Sequence, residues 1–171
     1  MSAIFRAAGV RRAVDMGSGS TFYSYPTPLG HLTIASDGAA ITGLAFGERD
    51  YPGSRRPTGL TNRAANEAQE YLAGKRRSFD LPLAPAGTDF QRRVWRALLD
   101  IPYGQTRSYS EVAAAIGEPR ACRAIGGANN KNPIPLFIPC HRVINADGGL
   151  GGYASGVHIK RWLLDLEREN S

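Results

Sequence analysis

Cys140, His141 and Arg142 stand side by side in the stretch PLFIPCHRVINADGG, behind a proline and an apolar run and ahead of a glycine-rich segment. A cysteine beside a histidine raises the prospect of nucleophilic sulfur chemistry. The thiolate is the reactive form, and a thiol with the ordinary pKa of about 8.5 is only a few per cent ionised at neutral pH. Such a cysteine needs a base or a nearby positive charge. Side chains adjacent in sequence usually point apart, so the expected link from Cys140 to His141 is a relay through one water. The imidazole in turn needs an orienting group on its second nitrogen, usually a carboxylate. The C-terminal stretch supplies Asp165, Glu167 and Glu169, and Glu167, one helical turn after Leu163, is the best placed. Residue types alone leave a plainer alternative open, a packed cysteine beside a surface histidine. Zinc is disfavoured, because Cys140 and His141 lie too close in sequence for the usual ligand spacings and no second cluster exists.

The elements that must position these residues are legible around them. TDFQRRVWRALLDIPYG places Phe90, Val94, Trp95 and Leu98 on one helical face, with Thr88 or Asp89 as cap. SYSEVAAAIG opens with Ser108 and Glu111 in an S-x-x-E capping box, and its helix ends at Gly117. A short EPR turn leads into ACRAIGGANN, whose helix ends near residues 129–132. Two short helices joined by so tight a glycine-bearing turn make a helix-turn-helix. PIPLFIP is too rich in proline for a helix and is expected as an extended segment delivering Cys140. GGLGGYASG is a loop. HIKRWLLDLERE is a terminal helix with Ile159, Trp162, Leu163 and Leu166 facing inward.

The first half has a different texture. Residues 21–47 are short β-rich runs broken by TPLG and SDG, the pattern of a hairpin or small antiparallel sheet. LTNRAANEAQEYLAG is helical and stops at Gly74, and KRRSFDLPLAPAG is a polar connection that has room for one more strand. The expected organisation is an N-terminal extension at 1–20, read as flexible, a small domain at 21–84 and a second domain at 85–171.

Bulk properties set the class. The 171 residues are 42% hydrophobic and 21% charged, ordinary for a soluble globular chain, and no apolar run is long enough to span a bilayer. The first 20 residues lack an unbroken apolar core, so a secretory signal is not expected, and Cys122 and Cys140 are expected as free thiols in a reducing cytoplasm. The net charge is +6, and residues 107–142 carry Arg107, Arg120, Arg123, Lys131 and Arg142 against Glu111 and Glu118 alone. A local basic excess over a helix-turn-helix points to nucleic acid.

IPCHRVI resembles the active-site motif of the O6-alkylguanine-DNA alkyltransferases, the methylated-DNA–protein-cysteine methyltransferases. GTDFQRRVWRALLDIPYGQTRSYSEVA, RAIGGANNKNPIPLFIPCHRVI, GGLGGYASG and KRWLLDLE follow in that family's order and spacing, covering about residues 87–167. Residues 21–80 resemble its variable N-terminal domain more loosely. The resemblance implies an α+β fold: a small N-terminal antiparallel-sheet, ribonuclease-H-like domain, then a mostly α-helical C-terminal domain with a helix-turn-helix.

The resemblance also implies an activity, a single irreversible transfer of an alkyl group from guanine O6 in double-stranded DNA to Cys140. His141 and Glu167 match the partners that deprotonate the acceptor. Asn132 matches the hinge asparagine tying the recognition helix to the active-site segment, and Tyr109 the tyrosine that donates to guanine N3. Arg123 matches the arginine that enters the duplex and fills the space left by the flipped base, with Ser110, Ala121 and Gly126 as further DNA-facing positions. Tyr153 and Ala154 match the wall of the base pocket, the Ala154 N–H facing O6, and the carbonyls of Cys140 and Val143 would receive the guanine amino group. Many relatives carry serine where Ala154 stands, which bears on ligand preference and not on the reaction. Arg142 is expected as a structural partner of a carboxylate. No diffusible cofactor is implied. No metal is expected, since the N-terminal region has no cysteine and His31 as its sole histidine. Nor is an obligate protein partner or membrane contact, so the expectation is a cytoplasmic, nucleoid-associated monomer. Two alternatives stay open on residue types: a non-catalytic helix-turn-helix DNA-binding protein and a cysteine hydrolase.

Overall fold

The computed structural model describes residues 19–171 and, ahead of them, the backbone of a two-residue strand, β1 (Ile4–Phe5). The remainder of residues 1–18 lies outside the described residues, and with it most of the extension read as flexible. The chain forms two compact units, Met1–Ala86 and Gly87–Ser171.

The first unit is built on three long strands, β2 (Thr21–Thr27), β3 (Gly30–Ser36) and β4 (Ile41–Phe46), paired antiparallel with β3 in the middle. The β2–β3 turn closes over Pro28 and Leu29, with Thr27 facing Gly30, and Gly30, just after the turn residues, takes a positive φ that glycine adopts without strain. Helix α1 (Gly59–Leu72) packs on this sheet. Its Ala64, Ala65 and Ala68 let the helix approach closely, and with Tyr71 and Leu72 they close a core of Leu32, Ile34, Ile41 and Leu44. Thr58 and Thr61 form a capping box at its start. Two further short strands, β5 (Ser54–Arg55) and β6 (Pro82–Leu83), join through parallel pairings, giving the order β1-β6-β4-β3-β2-β5. The sheet expected as antiparallel is therefore antiparallel at its centre and mixed at its margins. Strands reached by crossovers and not by hairpins run parallel to their neighbours.

The second unit is helical. Helix α2 (Asp89–Leu99) starts at Thr88, which forms a capping box with Gln91, and buries Val94, Trp95 and Leu98, with Phe90 half-buried. A two-residue strand, β7 (Arg107–Ser108), leads into α3 (Tyr109–Ala115), whose capping box pairs Ser108 with Glu111. Gly117 turns the chain at a positive φ, and α4 (Cys122–Asn130) follows. From α2, Arg93 reaches both Glu118 (2.8 Å) and the Ile116 carbonyl (2.8 Å), bracing the turn between α3 and α4. The Trp95 indole N–H donates to the Ala128 carbonyl (2.9 Å), sewing α4 to α2.

The segment after α4 departs from expectation. It is not extended: the Ile138 N–H donates to the Ile134 carbonyl (3.0 Å), and Leu136 sits at φ +77° in the left-handed region. With prolines at 133, 135 and 139 the segment can offer few N–H groups to a strand, so it folds on itself around buried Ile134, Leu136, Phe137 and Ile138. A single 3₁₀ turn (Cys140–Arg142) then runs into β8 (Val143–Ile144), which pairs parallel with β7. The chain ends in α5 (Val157–Asn170), whose buried positions are Ile159, Lys160, Leu163 and Glu167. Trp162 and Leu166, expected to face inward with Ile159 and Leu163, are half-buried, and two charged residues share the buried face instead. Among the described residues no helix is long and apolar enough to cross a membrane.

Candidate active site

The 3₁₀ turn sets three consecutive side chains inside the second unit. Cys140 is 4% exposed, His141 is fully buried and Arg142 is 7% exposed. Three successive buried polar residues need partners, and one carboxylate of α5 supplies two of them. Glu167 Oε1 lies 2.9 Å from His141 Nε2 and accepts from Arg142 Nη2 (2.7 Å), while Oε2 accepts from Arg142 Nε (2.9 Å) and from the Gly104 N–H (3.1 Å). Arg142 Nη1 donates to the Ile101 carbonyl (2.7 Å). The guanidinium fork thus holds the carboxylate in the plane from which it can also hold the imidazole.

The electrostatics follow from this arrangement. Burial alone would push the Glu167 carboxyl up. The hydrogen bond from His141, then the hydrogen bonds and charge of Arg142, outweigh it and hold the group well below the usual carboxylate range. Burial pulls the His141 imidazole down, against the hydrogen bond and charge of Glu167, so the ring is neutral at neutral pH and can accept a proton. Burial pushes the Cys140 thiol up, opposed by hydrogen bonding from Asn132, the charge of Lys160 and hydrogen bonding from Tyr153. A sulfur this deep is unreactive toward bulky solutes and needs a reactant carried into the fold.

Asn132 lies just past the end of α4. Its Nδ2 donates to the Ile138 carbonyl (2.9 Å) and its Oδ1 accepts from the Ile134 N–H (3.0 Å), so one side chain supplies a donor of the kind the prolines lack and an acceptor for a neighbouring N–H. It therefore joins the helix to the segment that delivers Cys140. Tyr109 opens α3 and is half-buried, with its hydroxyl raised by burial and then by the charge of Cys140. Its ring is bracketed by two glycines. A Cβ on Gly126 of α4 would stand 3.9 Å from the ring, and one on Gly151 would stand 2.9 Å from the hydroxyl. The glycine-rich loop can approach the tyrosine only without a side chain at 151, where φ is also positive.

Val143 is buried, and its N–H donates to the Cys140 carbonyl. Tyr153 is half-buried and Ala154 exposed in the loop before α5. Arg123, Ser110 and, at α4's capless N-terminus, the partly exposed Ala121 lie on the helix-turn-helix, Arg123 and Ser110 facing solvent. Gly126 is half-buried beneath Tyr109. Cys140, His141, Glu167, Asn132, Tyr109, Val143 and Tyr153 thus converge on the 3₁₀ turn, whereas Arg123, Ser110 and Ala121 do not touch it.

One residue of the site escapes a sequence reading. Lys160 is 1% exposed; its Nζ donates to the Val143 carbonyl (2.6 Å) and the Gly152 carbonyl (3.2 Å) and stands 6.0 Å from the centre of the Tyr109 ring. A lysine between two apolar helical positions reads as a solvated charge. The available signal was its spacing: Lys160 precedes Glu167 by seven residues, two helical turns, which puts both on one face. Among the described residues no group of three or more His, Cys, Asp or Glu side chains is arranged to hold a metal ion.

Comparison with known proteins defines the class this site belongs to. Residues 89–169 match the family model described as the 6-O-methylguanine DNA methyltransferase DNA-binding domain, and residues 21–85 match that of its ribonuclease-like domain. The chain belongs to the 6-O-methylguanine DNA methyltransferase family. It is similar to a methylated-DNA–protein-cysteine methyltransferase of Methanosarcina barkeri, 62% identical over 63% of this chain and 68% of the relative. A protein of the same description from Mycobacterium tuberculosis is 48% identical over 85% of this chain and 90% of the relative. The crystal structure of Mycobacterium tuberculosis OGT in complex with DNA superposes with a TM-score of 0.83 at 45% identity, over 88% of this chain and 94% of that one.

Proposed function

We propose that Cys140 is the acceptor sulfur of a methylated-DNA–protein-cysteine methyltransferase, a DNA repair activity in which the protein is both catalyst and co-substrate. The observation that carries this reading is the buried run from Cys140 through His141 to Glu167, with Arg142 locking the carboxylate. A purely DNA-binding protein has no use for a neutral imidazole and an ion pair sealed beside a thiol. A hydrolase has no use for a basic helix-turn-helix.

The chemistry balances without a cofactor. His141 takes the Cys140 proton, directly or through one water. The sulfur lone pair attacks the alkyl carbon of O6-alkylguanine, a C–S bond forms as the C–O6 bond breaks, and the bond's electrons return to the base. Tyr109 donates a proton toward guanine N3 so that the base departs neutral, and the proton taken up by His141 restores the phenol, so the sulfur's proton is balanced by the one gained by the base. The product is a thioether with no easy leaving group, so each molecule acts once.

A sulfur 4% exposed cannot meet a base stacked in a duplex. The base must be extruded, at a cost of a few kcal/mol that is smaller for damaged bases. Arg123, exposed on α4 among small residues, fills the vacated space, with Ser110, Ala121 and Gly126 allowing close approach of the helices to the backbone. The loop carrying Tyr153 and Ala154 walls the base, and the carbonyls of Cys140 and Val143 receive its amino group. On this reading the protein works as a monomer in the cytoplasm, at the nucleoid.

Mass spectrometry after incubation with O6-methylguanine duplex tests the reading. One methyl group is expected on the peptide carrying Cys140 and none in Cys140→Ala; a methyl on Cys122, or on neither thiol, sinks it. Arg123→Ala should lose at least about tenfold in rate on duplex DNA while reacting with free O6-benzylguanine nearly as wild type, since only the duplex requires extrusion. Binding to duplex should weaken linearly in the logarithm of salt concentration, as counterion release requires.

A further inference from the structure

Two costs weigh against a lysine at position 160. It is the fourth residue of α5, near the end where the helix dipole is positive, and it is 1% exposed. Among the described residues no carboxylate lies within ion-pair distance of it, and an apolar side chain would fill the place without either cost. Two hydrogen bonds to backbone offset the burial, one to the Val143 carbonyl (2.6 Å) and one to the Gly152 carbonyl (3.2 Å). Burial pulls the ammonium down to about 8, so at neutral pH it still carries its N–H donors.

The two acceptors stand at the two ends of one excursion of the chain. Val143 opens β8 straight after the 3₁₀ turn; the chain then turns back at 145–148, where the Gly148 N–H donates to the Asn145 carbonyl (3.0 Å), and reaches Gly152. One ammonium thus closes residues 143–152 into a loop, with the centre of the Tyr109 ring 6.0 Å away. The return is tight: a Cβ on Gly151 would stand 2.9 Å from the Tyr109 hydroxyl and 3.2 Å from Asn145 Oδ1. At Gly152 a Cβ would meet nothing within 4 Å, so what holds that residue is its carbonyl. A carbonyl oxygen can accept from two donors, and an ammonium fixed on one side of the Val143 oxygen sets where its other lone pair points.

We propose that Lys160 is a positioning residue for recognition of the guanine 2-amino group: its ammonium, shared between the Val143 and Gly152 carbonyls, aims the Val143 oxygen at the base and holds the glycine-rich loop to it. The inference rests on Cys140 being the acceptor and on the Val143 carbonyl receiving the amino group. In the full chain carrying Cys122→Ser, Cys140 is alkylated with free O6-benzylguanine or with O6-benzylhypoxanthine, which lacks the amino group, and the rates are read by intact mass. In this parent the guanine compound should react at least about tenfold faster, since the hypoxanthine compound leaves one side of a buried acceptor unpaired. Lys160→Met keeps the length and loses the donors, and its ratio should fall to within about threefold of one. Lys160→Arg keeps donors and should lie nearer the parent. A Lys160→Met protein with the parental ratio overturns the proposal, since a lysine that only supports the fold would slow both compounds alike.

A parent that reacts equally with both compounds would remove the role of Val143, and a parent left unalkylated at Cys140 would remove the acceptor. The inference falls with either, and neither result resembles a failure at Lys160 alone. A second measurement needs no substitution at Lys160 and decides the matter if those variants fail to fold. In the parent, the NMR signals of Lys160 Nζ and of the Val143 carbonyl carbon are followed during titration with guanosine and with inosine, which lacks the amino group. Both signals should move with guanosine and far less with inosine, because the ammonium and the amino group share one oxygen. A Lys160 signal that answers the two nucleosides alike overturns the proposal.

Discussion

Among the described residues the buried acid of the sheet unit is Glu67, with the side chains of its partners Arg63 and Arg76 49% and 30% exposed; in the helical unit it is Glu167, with the side chains of its partners His141 and Arg142 0% and 9% exposed. Both carboxylates accept a backbone N–H, from Asp80 (2.9 Å) and Gly104 (3.1 Å) respectively. The environments of their cations separate them. A guanidinium that keeps much of its hydration loses little when its partner goes, whereas a buried one left alone is a large penalty. The sheet unit uses its ion pairs to dress a surface around a core of Ile34, Ile41, Leu44 and Tyr71. The helical unit places its ion pair beside the buried Cys140 thiol, where water would otherwise screen and loosen it.

Substitutions rank accordingly. Glu167→Gln keeps the shape and removes the charge, leaving Arg142 buried and unpaired, and should cost about 3–5 kcal/mol in urea denaturation. It should also alter the acid response. In the wild-type protein the depressed carboxyl of Glu167 contributes stability at pH above its ordinary value of 4.5, which is lost as pH falls from there. His141, kept neutral below its ordinary 6.5, adds a loss that starts near that value, because the unfolded imidazole binds a proton that the folded one does not. Stability of the wild type should therefore decline from about pH 6.5 downward and steepen below about 4.5, and Glu167→Gln should lack the steeper part. A variant as stable as wild type at pH 7 would remove the distinction between the two units.

Capping is where the units should behave alike. Thr58→Ala at α1 and Ser108→Ala at α3 each remove one half of a capping box and should each cost about 1 kcal/mol, read from the denaturation midpoint. A much larger loss for Ser108 would mean that its position beside Tyr109 carries more than a helix start. Glu67→Gln should cost less than about 1 kcal/mol, its arginines being solvated. Arg123→Ala should leave thermal unfolding within about 0.5 kcal/mol of wild type, as an exposed residue serving only a ligand would. A destabilisation beyond that would assign Arg123 to the fold and not to DNA.

Much of this was legible in the chain itself because the signals are local. A capping box is four residues, so Ser108 with Glu111 marks the start of α3 without tertiary help, and Gly117 marks its stop through the left-handed backbone a glycine readily adopts. The helical period of α2 selects Val94, Trp95 and Leu98, and the CHR triplet behind a proline announces the chemistry. Glu167 was reachable from its place one turn beyond Leu163. What local pattern did not contain was long-range and electrostatic. The segment 133–139 reads as extended because proline excludes a helix, yet its fold depends on Asn132 bonding to backbone as far as six residues away. The inward face of α5 reads as Ile159, Trp162, Leu163 and Leu166, yet Lys160 and Glu167 take buried places there while Trp162 and Leu166 are half-buried, because the partners of the two charges arrive from the 3₁₀ turn, the strand after it and the glycine-rich loop. A charge is buried only when another element brings it a partner, and periodicity along one helix carries no record of what faces it. Composition and spacing thus determined the helices, the turn between them and the sulfur proposed as acceptor. Tertiary packing alone decided which charges surround that sulfur, since desolvation and partner geometry exist only once the elements meet.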